Sequence, residues 1–109
     1  MPPLSSPEAD EELALIAKAL GHPMRVRILR ILLERRTCLC GEIVAELPLA
    51  QATVSQHLKV LKEAGLVQGE IDGPRVCYCA NSARLEWLGV LVGSLTDITT
   101  SRELGATTL

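Results

Sequence analysis

A chain of 109 residues is one domain's length, enough to bury a core but not a large one. It is 48% hydrophobic but only 2% aromatic, with no Phe, one Tyr and one Trp; the core must be aliphatic, and the base-stacking platforms of RNA and single-strand binders are missing. The net charge of −2 hides an uneven distribution, because Glu8, Asp10, Glu11 and Glu12 crowd the start while Lys18, Arg25, Arg27, Arg30, Arg35 and Arg36 follow.

Residues 1–9, rich in Pro and Ser, read as a disordered tail. A first helix is predicted from near Asp10, where acids suit a helix N-terminus, with Leu13, Ile16, Ala17 and Leu20 as its apolar stripe. Gly21-His22-Pro23 ends it. A second helix, about Met24–Leu33, is apolar nearly all round except along Arg27, Arg30 and Glu34, the pattern of a buried scaffold helix. Thr37-Cys38-Leu39 suits a brief strand, and Gly41–Leu47 a short third helix ended by Pro48. The joint Pro48-Leu49-Ala50 leads to a fourth helix, about Gln51–Ala64, stopped by Gly65. Two helices so closely joined form a helix-turn-helix pattern. Next, Leu66–Ile71 and Arg75–Cys79 flank Asp72-Gly73-Pro74, a hairpin signal with Pro74 at the strand edge. A fifth helix, about Ala83–Thr96, carries Leu85, Leu88, Val92 and Leu95 at near-heptad spacing, with Trp87 and Leu91 beside them. That is more apolar face than a terminal helix buries alone. Residues 100–109 read as a flexible polar tail. The expected architecture is mostly α with a small β-hairpin: a winged helix-turn-helix over 10–99, five helices plus a wing, dimeric through its first and last helices.

In the fourth helix Val54, Leu58 and Leu61 form the inward stripe, so Ala52, Gln56, Lys59 and Glu63 point away, flanked by Thr53 and Ser55. Small polar groups on the leading half of such a helix suit base edges in the major groove of double-stranded DNA, where Gln pairs with adenine and Lys reaches phosphate. The candidate DNA contacts are Gln51, Thr53, Ser55, Gln56 and Lys59, with Arg75 at the wing tip for the minor groove or a phosphate. The bland alternatives are an ordinary amphipathic surface helix and a solvated turn arginine. His57, beside the inward stripe, reads as a half-buried core histidine rather than a metal ligand, and His22 as a helix-boundary residue.

The stretch LPLAQATVSQHLKVLKEAGLV (Leu47–Val67), with the following EIDGPRVCYC, resembles the ArsR/SmtB family of metal-responsive repressors. LGHPMRVRIL in the second helix and TCLC before the third resemble it too, so the similarity runs from about Leu13 to Leu95. It implies a homodimer that represses an operator and releases it on binding an inducer. Ala50 departs from the Ser frequent in the family, which removes a capping hydroxyl worth about 1 kcal/mol and a phosphate contact with it.

No charged start leads into an apolar stretch, and no apolar run reaches the roughly 18 residues of a membrane span, so the expectation is a cytoplasmic protein without membrane contact. In that reducing compartment the four cysteines are expected to bind metal or react rather than staple the fold. They form two C-x-C pairs, Cys38/Cys40 and Cys77/Cys79, and on a strand i and i+2 share a face. In winged-helix folds the strand before the third helix commonly pairs with the second wing strand, which would let four thiols meet as a soft-metal site. TCLC resembles the family's arsenic-sensing C-x-C, whose usual third Cys is Ile43 here, so Cys77 or Cys79 would have to supply the third thiolate. The family's zinc site of Asp and His on the last helix is absent, since no His follows His57. Arsenite or antimonite is the expected inducer, with no organic cofactor. A conformation that binds it best would no longer match the operator. Zinc or cadmium bound as a four-thiolate sensor or structural site, thiol redox sensing and plain buried cysteines stay open. An enzyme is not expected, for the chain has no C-x-x-C, Gly-rich phosphate loop or Ser-His-Asp set.

Overall fold

The structure, a computed structural model, describes residues 2–35, 38, 50–72 and 75–105. Helices α1 (Pro7–Ala19), α2 (Pro23–Arg35) and α3 (Gln51–Glu63) precede a hairpin of β1 (Val67–Asp72) and β2 (Arg75–Ala80), and α4 (Ser82–Gly105) closes the order. These are four helices among the described residues. The short helix expected over Gly41–Leu47 lies outside them, as do Thr37 and Leu39 of the expected strand. Cys38 itself sits in irregular backbone.

Both ends of the expected domain need correction. α1 starts at Pro7, inside the expected tail 1–9, because Ser6 caps it by accepting the Ala9 N–H at 3.2 Å and Pro7 brings a helix-ready φ to the first position. Ser-Pro here is a start signal rather than a mark of disorder, and Ala9 is already buried. α4 runs through Gly105, well past Thr96 and into the expected tail 100–109. Polar residues there were no obstacle, since none is Pro and Gly105 is the next helix breaker after Gly93.

α2 opens on His22, whose Nδ1 accepts the Met24 N–H at 3.0 Å. It is less enclosed than expected: Ile28, Leu29 and Leu32 are buried, while Val26 and Leu33 are more than a third exposed. α3 starts at Ala50 without a side-chain cap. It ends in a Schellman motif, in which Leu66 N–H donates to the Leu61 carbonyl at 3.0 Å and Gly65 N–H to that of Lys62 at 3.0 Å. Gly65 takes the φ of +80° that this turn requires.

The hairpin is antiparallel, in register from Val67 opposite Ala80 to Asp72 opposite Arg75, which leaves Gly73 and Pro74 as the connection. α1 packs on α4, α2 on α3 and β2, and α3 on β1. Ile16, Ile28, Leu32, Val54, Leu61, Leu66, Val67 and Leu91 fill the centre, an aliphatic core with Trp87 at its side. On α1, Ala17 faces solvent and Ala9 and Ala19 face inward, a small shift from the expected stripe. Among the described residues no helix is long and apolar enough to cross a membrane.

Candidate DNA interface and cysteine cluster

The α3 stripe decides what the helix shows. Val54, Leu58 and Leu61 are buried, which turns Thr53, Ser55, Gln56 and Lys59 to the surface together with Ala52, Lys62 and Glu63. Gln51 opens the helix and Arg75 opens β2; the structure describes their backbones only. Thr53, Ser55 and Gln56 lie one helical turn or less apart, so one groove could meet all three.

His57 faces the other way, half-buried against the start of α2. Its ring lies 4.5 Å from that of His22, and Arg25 Nη1 is 3.4 Å from its Nδ1. Arg25 also donates through Nε to the Ala19 carbonyl at 2.5 Å and through Nη2 to that of Lys18 at 3.4 Å. One guanidinium thus caps the end of α1 and touches the middle of α3. Burial pushes the His57 pKa below its ordinary value, and the charges of His22 and Arg25 push the same way. Donation from Arg25 requires Nδ1 without a proton, so the contact belongs to the neutral ring.

A second guanidinium holds the far end of α3. Arg84, in the first turn of α4, donates through Nε to the Ala64 carbonyl at 3.0 Å and through Nη1 to Glu12 Oε1 at 2.8 Å. Asn81 donates its amide to the Gly65 carbonyl at 3.0 Å and its main-chain N–H to Leu66 at 2.9 Å. Its own Oδ1 accepts the Arg84 N–H at 3.3 Å, capping α4. Arg84 is the main reason the Glu12 carboxyl stays below the usual range; nearby Trp87 adds a smaller pull, although neither its indole N–H nor Glu12 Oε2 makes a formed hydrogen bond.

Cys38 and Cys79 meet in a disulfide, with Cα atoms 4.3 Å apart and 41 residues between them in sequence. Cys77 shares the β2 face of Cys79, is buried, and is also disulfide-bonded. Cys40 lies outside the described residues. The structure therefore brings Cys38 against the second wing strand, with Cys79 opposite Gln68 and Cys77 opposite Glu70 in the hairpin. In this oxidised form, and among the described residues, no group of three or more His, Cys, Asp or Glu side chains is placed to hold a metal ion.

The pattern of the bacterial regulatory proteins of the arsR family matches residues 22–68. Over 89 residues the chain is 38% identical to MJ1325, an HTH-type transcriptional regulator of Methanocaldococcus jannaschii, across 81% of this chain and 99% of that one. The chain belongs to the ArsR family. An ArsR-like transcriptional regulator from Rhodococcus sp. RHA1 superposes with a TM-score of 0.71 at 28% identity, over 92% of each chain. The homodimeric winged helix-turn-helix domain of Mb0332 from Mycobacterium bovis shares the fold, with a TM-score of 0.65 at 24% identity over 95% of this chain and 94% of that one. This ArsR-family protein is a DNA-binding transcriptional regulator with a winged helix-turn-helix, not an enzyme.

Sequence reasoning found the exposed face of α3 and paired the wing, but missed the residues that fix α3 in this ArsR-family fold. Glu12, Arg25, Asn81 and Arg84 act across 6 to 72 positions of sequence, and no local pattern announces such partners. Only Asn81 carried a usable signal, a cap residue immediately before the last helix.

Proposed function

We propose that this chain is a dimeric repressor that grips an operator through α3 and the wing and releases it when its cysteine thiolates take up trivalent arsenic or antimony. The meeting of Cys38 with Cys79, with Cys77 on the same strand face, is the observation that carries the reading. Once reduced, sulfurs held this close form a soft donor set, and thiolates select thiophilic ions. Arsenous acid condenses with three thiols, As(OH)3 + 3 RSH giving As(SR)3 + 3 H2O, with no change of oxidation state. Cys38, Cys77 and Cys79 would hold it, and Cys40 is a fourth sulfur by sequence. On DNA, Thr53, Ser55 and Gln56 reach base edges, Lys59 reaches phosphate, and Gln51 and Arg75 extend the contact to the helix start and the wing. Val92, Leu95 and Ile98 stand exposed at helical spacing along α4, an apolar face that a second copy would cover, as the homodimeric state of Mb0332 supports. Cys79 lies two residues before Asn81, so a changed approach of Cys38 and Cys79 bears directly on the contacts that hold α3.

A second reading is favoured by the disulfide itself: the pair is a redox sensor, 2 RSH giving RSSR + 2 H+ + 2 e−, the electrons passing to a peroxide or to glutathione disulfide. Fluorescence anisotropy on a labelled duplex from upstream of the protein's own gene separates the two. Arsenite, zinc, cadmium and glutathione disulfide are added separately to reduced, metal-free protein on the duplex. Release by arsenite that disappears in Cys38→Ser is the expected result. Release by the oxidant alone would transfer the sensor to redox chemistry, and release by zinc or cadmium alone to a tetrahedral thiolate site. Binding that none of the four disturbs would overturn the sensor assignment.

A further inference from the structure

We infer that Arg84, seconded by Asn81, is a positioning residue for operator recognition: it sets the angle of α3 against the α1/α4 layer, and operator preference depends on that setting. The inference rests on the operator reading above. Three successive carbonyls at the end of the reading helix, those of Ala64, Gly65 and Leu66, are all taken by two residues at the start of α4. The same guanidinium then reaches Glu12 on α1, so the end of α3 is fastened at once to both helices of that layer. The close fit leaves no slack, for a Cβ on Gly65 would come within 3.1 Å of Arg84 Nε.

Geometry makes this fastening more than a stabilising contact. The base-reading residues sit at the opposite end of α3, with Ser55 nine residues, or roughly 13 Å, from Ala64. A tilt of about 5° at the clamp moves Ser55 by about 1 Å, more than the roughly 0.5 Å tolerance of a preorganised site. Phosphate contacts are far less demanding, since charge attraction carries no sequence information. Loss of the clamp therefore removes preference before it removes binding. Lysine cannot replace Arg84: its single ammonium lacks the rigid fork that serves Ala64 and Glu12 together, though it keeps the charge.

The test compares reduced wild-type protein with Arg84→Lys, Glu12→Gln and Asn81→Asp on the labelled upstream duplex and on a scrambled duplex of equal length. Asn81→Asp keeps the cap on the Arg84 N–H but loses the donor to Gly65, and it covers the case in which an Arg84 variant fails to fold. For Arg84→Lys the expected result is about a tenfold loss on the upstream duplex, with scrambled-duplex affinity and dimer sedimentation unchanged, as for one poorly made base contact. Glu12→Gln and Asn81→Asp should lose preference in the same direction, and Glu12→Gln should add nothing to Arg84→Lys. Unchanged preference in a folded Arg84→Lys or Asn81→Asp, or parallel losses on both duplexes, would overturn the positioning role alone. Wild-type protein that binds both duplexes equally would overturn the operator reading and this inference with it.

Discussion

Gly65→Ala tests the account of the α3 terminus most directly. Two separate penalties are expected. Alanine at a φ of +80° costs about 1–2 kcal/mol, because Cβ then crowds the following carbonyl. The added Cβ would also lie 3.1 Å from Arg84 Nε, which donates to Ala64 in a guanidinium that Nη1 ties to Glu12, rather than at a free side-chain end. Displacing Nε weakens a charged hydrogen bond worth about 1.5–3 kcal/mol, so the two effects together come to at most about 2.5–5 kcal/mol. Urea unfolding, followed at one fixed protein concentration so that any self-association contributes equally, measures the sum. In an Arg84→Ala background the second penalty vanishes and Gly65→Ala should cost only the first. A cost equal in both backgrounds to within about 0.5 kcal/mol would refute the packing argument, since coupled neighbours must be non-additive.

The depressed His57 pKa gives a pH dependence with a definite sign. Below about 6.5 the unfolded chain binds a proton that the folded ring resists beside His22 and Arg25, so stability falls as pH drops from neutrality through that value; urea midpoints should show the fall, and Gln at position 57 should lessen it. The Glu12 carboxyl, held low by Arg84, acts in a lower window: its contribution is complete above about 4.5 and is lost as pH falls through the folded value. Lys59→Ala should reduce the slope of log affinity against log salt by about 1 per protomer on any duplex, and an unchanged slope would remove Lys59 from the phosphate contacts. Ile98→Glu, on the most exposed of the large apolar side chains described on α4, should yield a monomer by sedimentation with helical content kept; a dimer that survives would place the interface elsewhere.

The periodic segments were legible because their signals are local. Val54, Leu58 and Leu61 repeat at helical spacing, Gly65 marks a helix stop, and Asp72-Gly73 marks a turn, so α3 and the hairpin could be drawn from the sequence to within a residue or two. The ends of the domain were not, because composition and capping disagree there. Ser6-Pro7 looks like a loop in composition but acts as cap and first helical residue, and α4 continues through a polar stretch whose length no breaker limits before Gly105. Of the site, the exposure of Thr53, Ser55, Gln56 and Lys59 followed from the stripe opposite them. The approach of Cys38 to Cys79 was suggested only by analogy with other winged helices, and the Arg84 clamp had no sequence signal at all.

Scarcity of aromatic residues gives this protein a built-in optical probe. Trp87 is the sole tryptophan, with a single tyrosine besides, and it lies buried where α1 and α4 meet, close to the Glu12 carboxylate that Arg84 holds. Its emission therefore reports on one seam and no other. A shift in colour or intensity when duplex or arsenite is added to unlabelled protein would mean that a signal has arrived at the seam of α1 and α4.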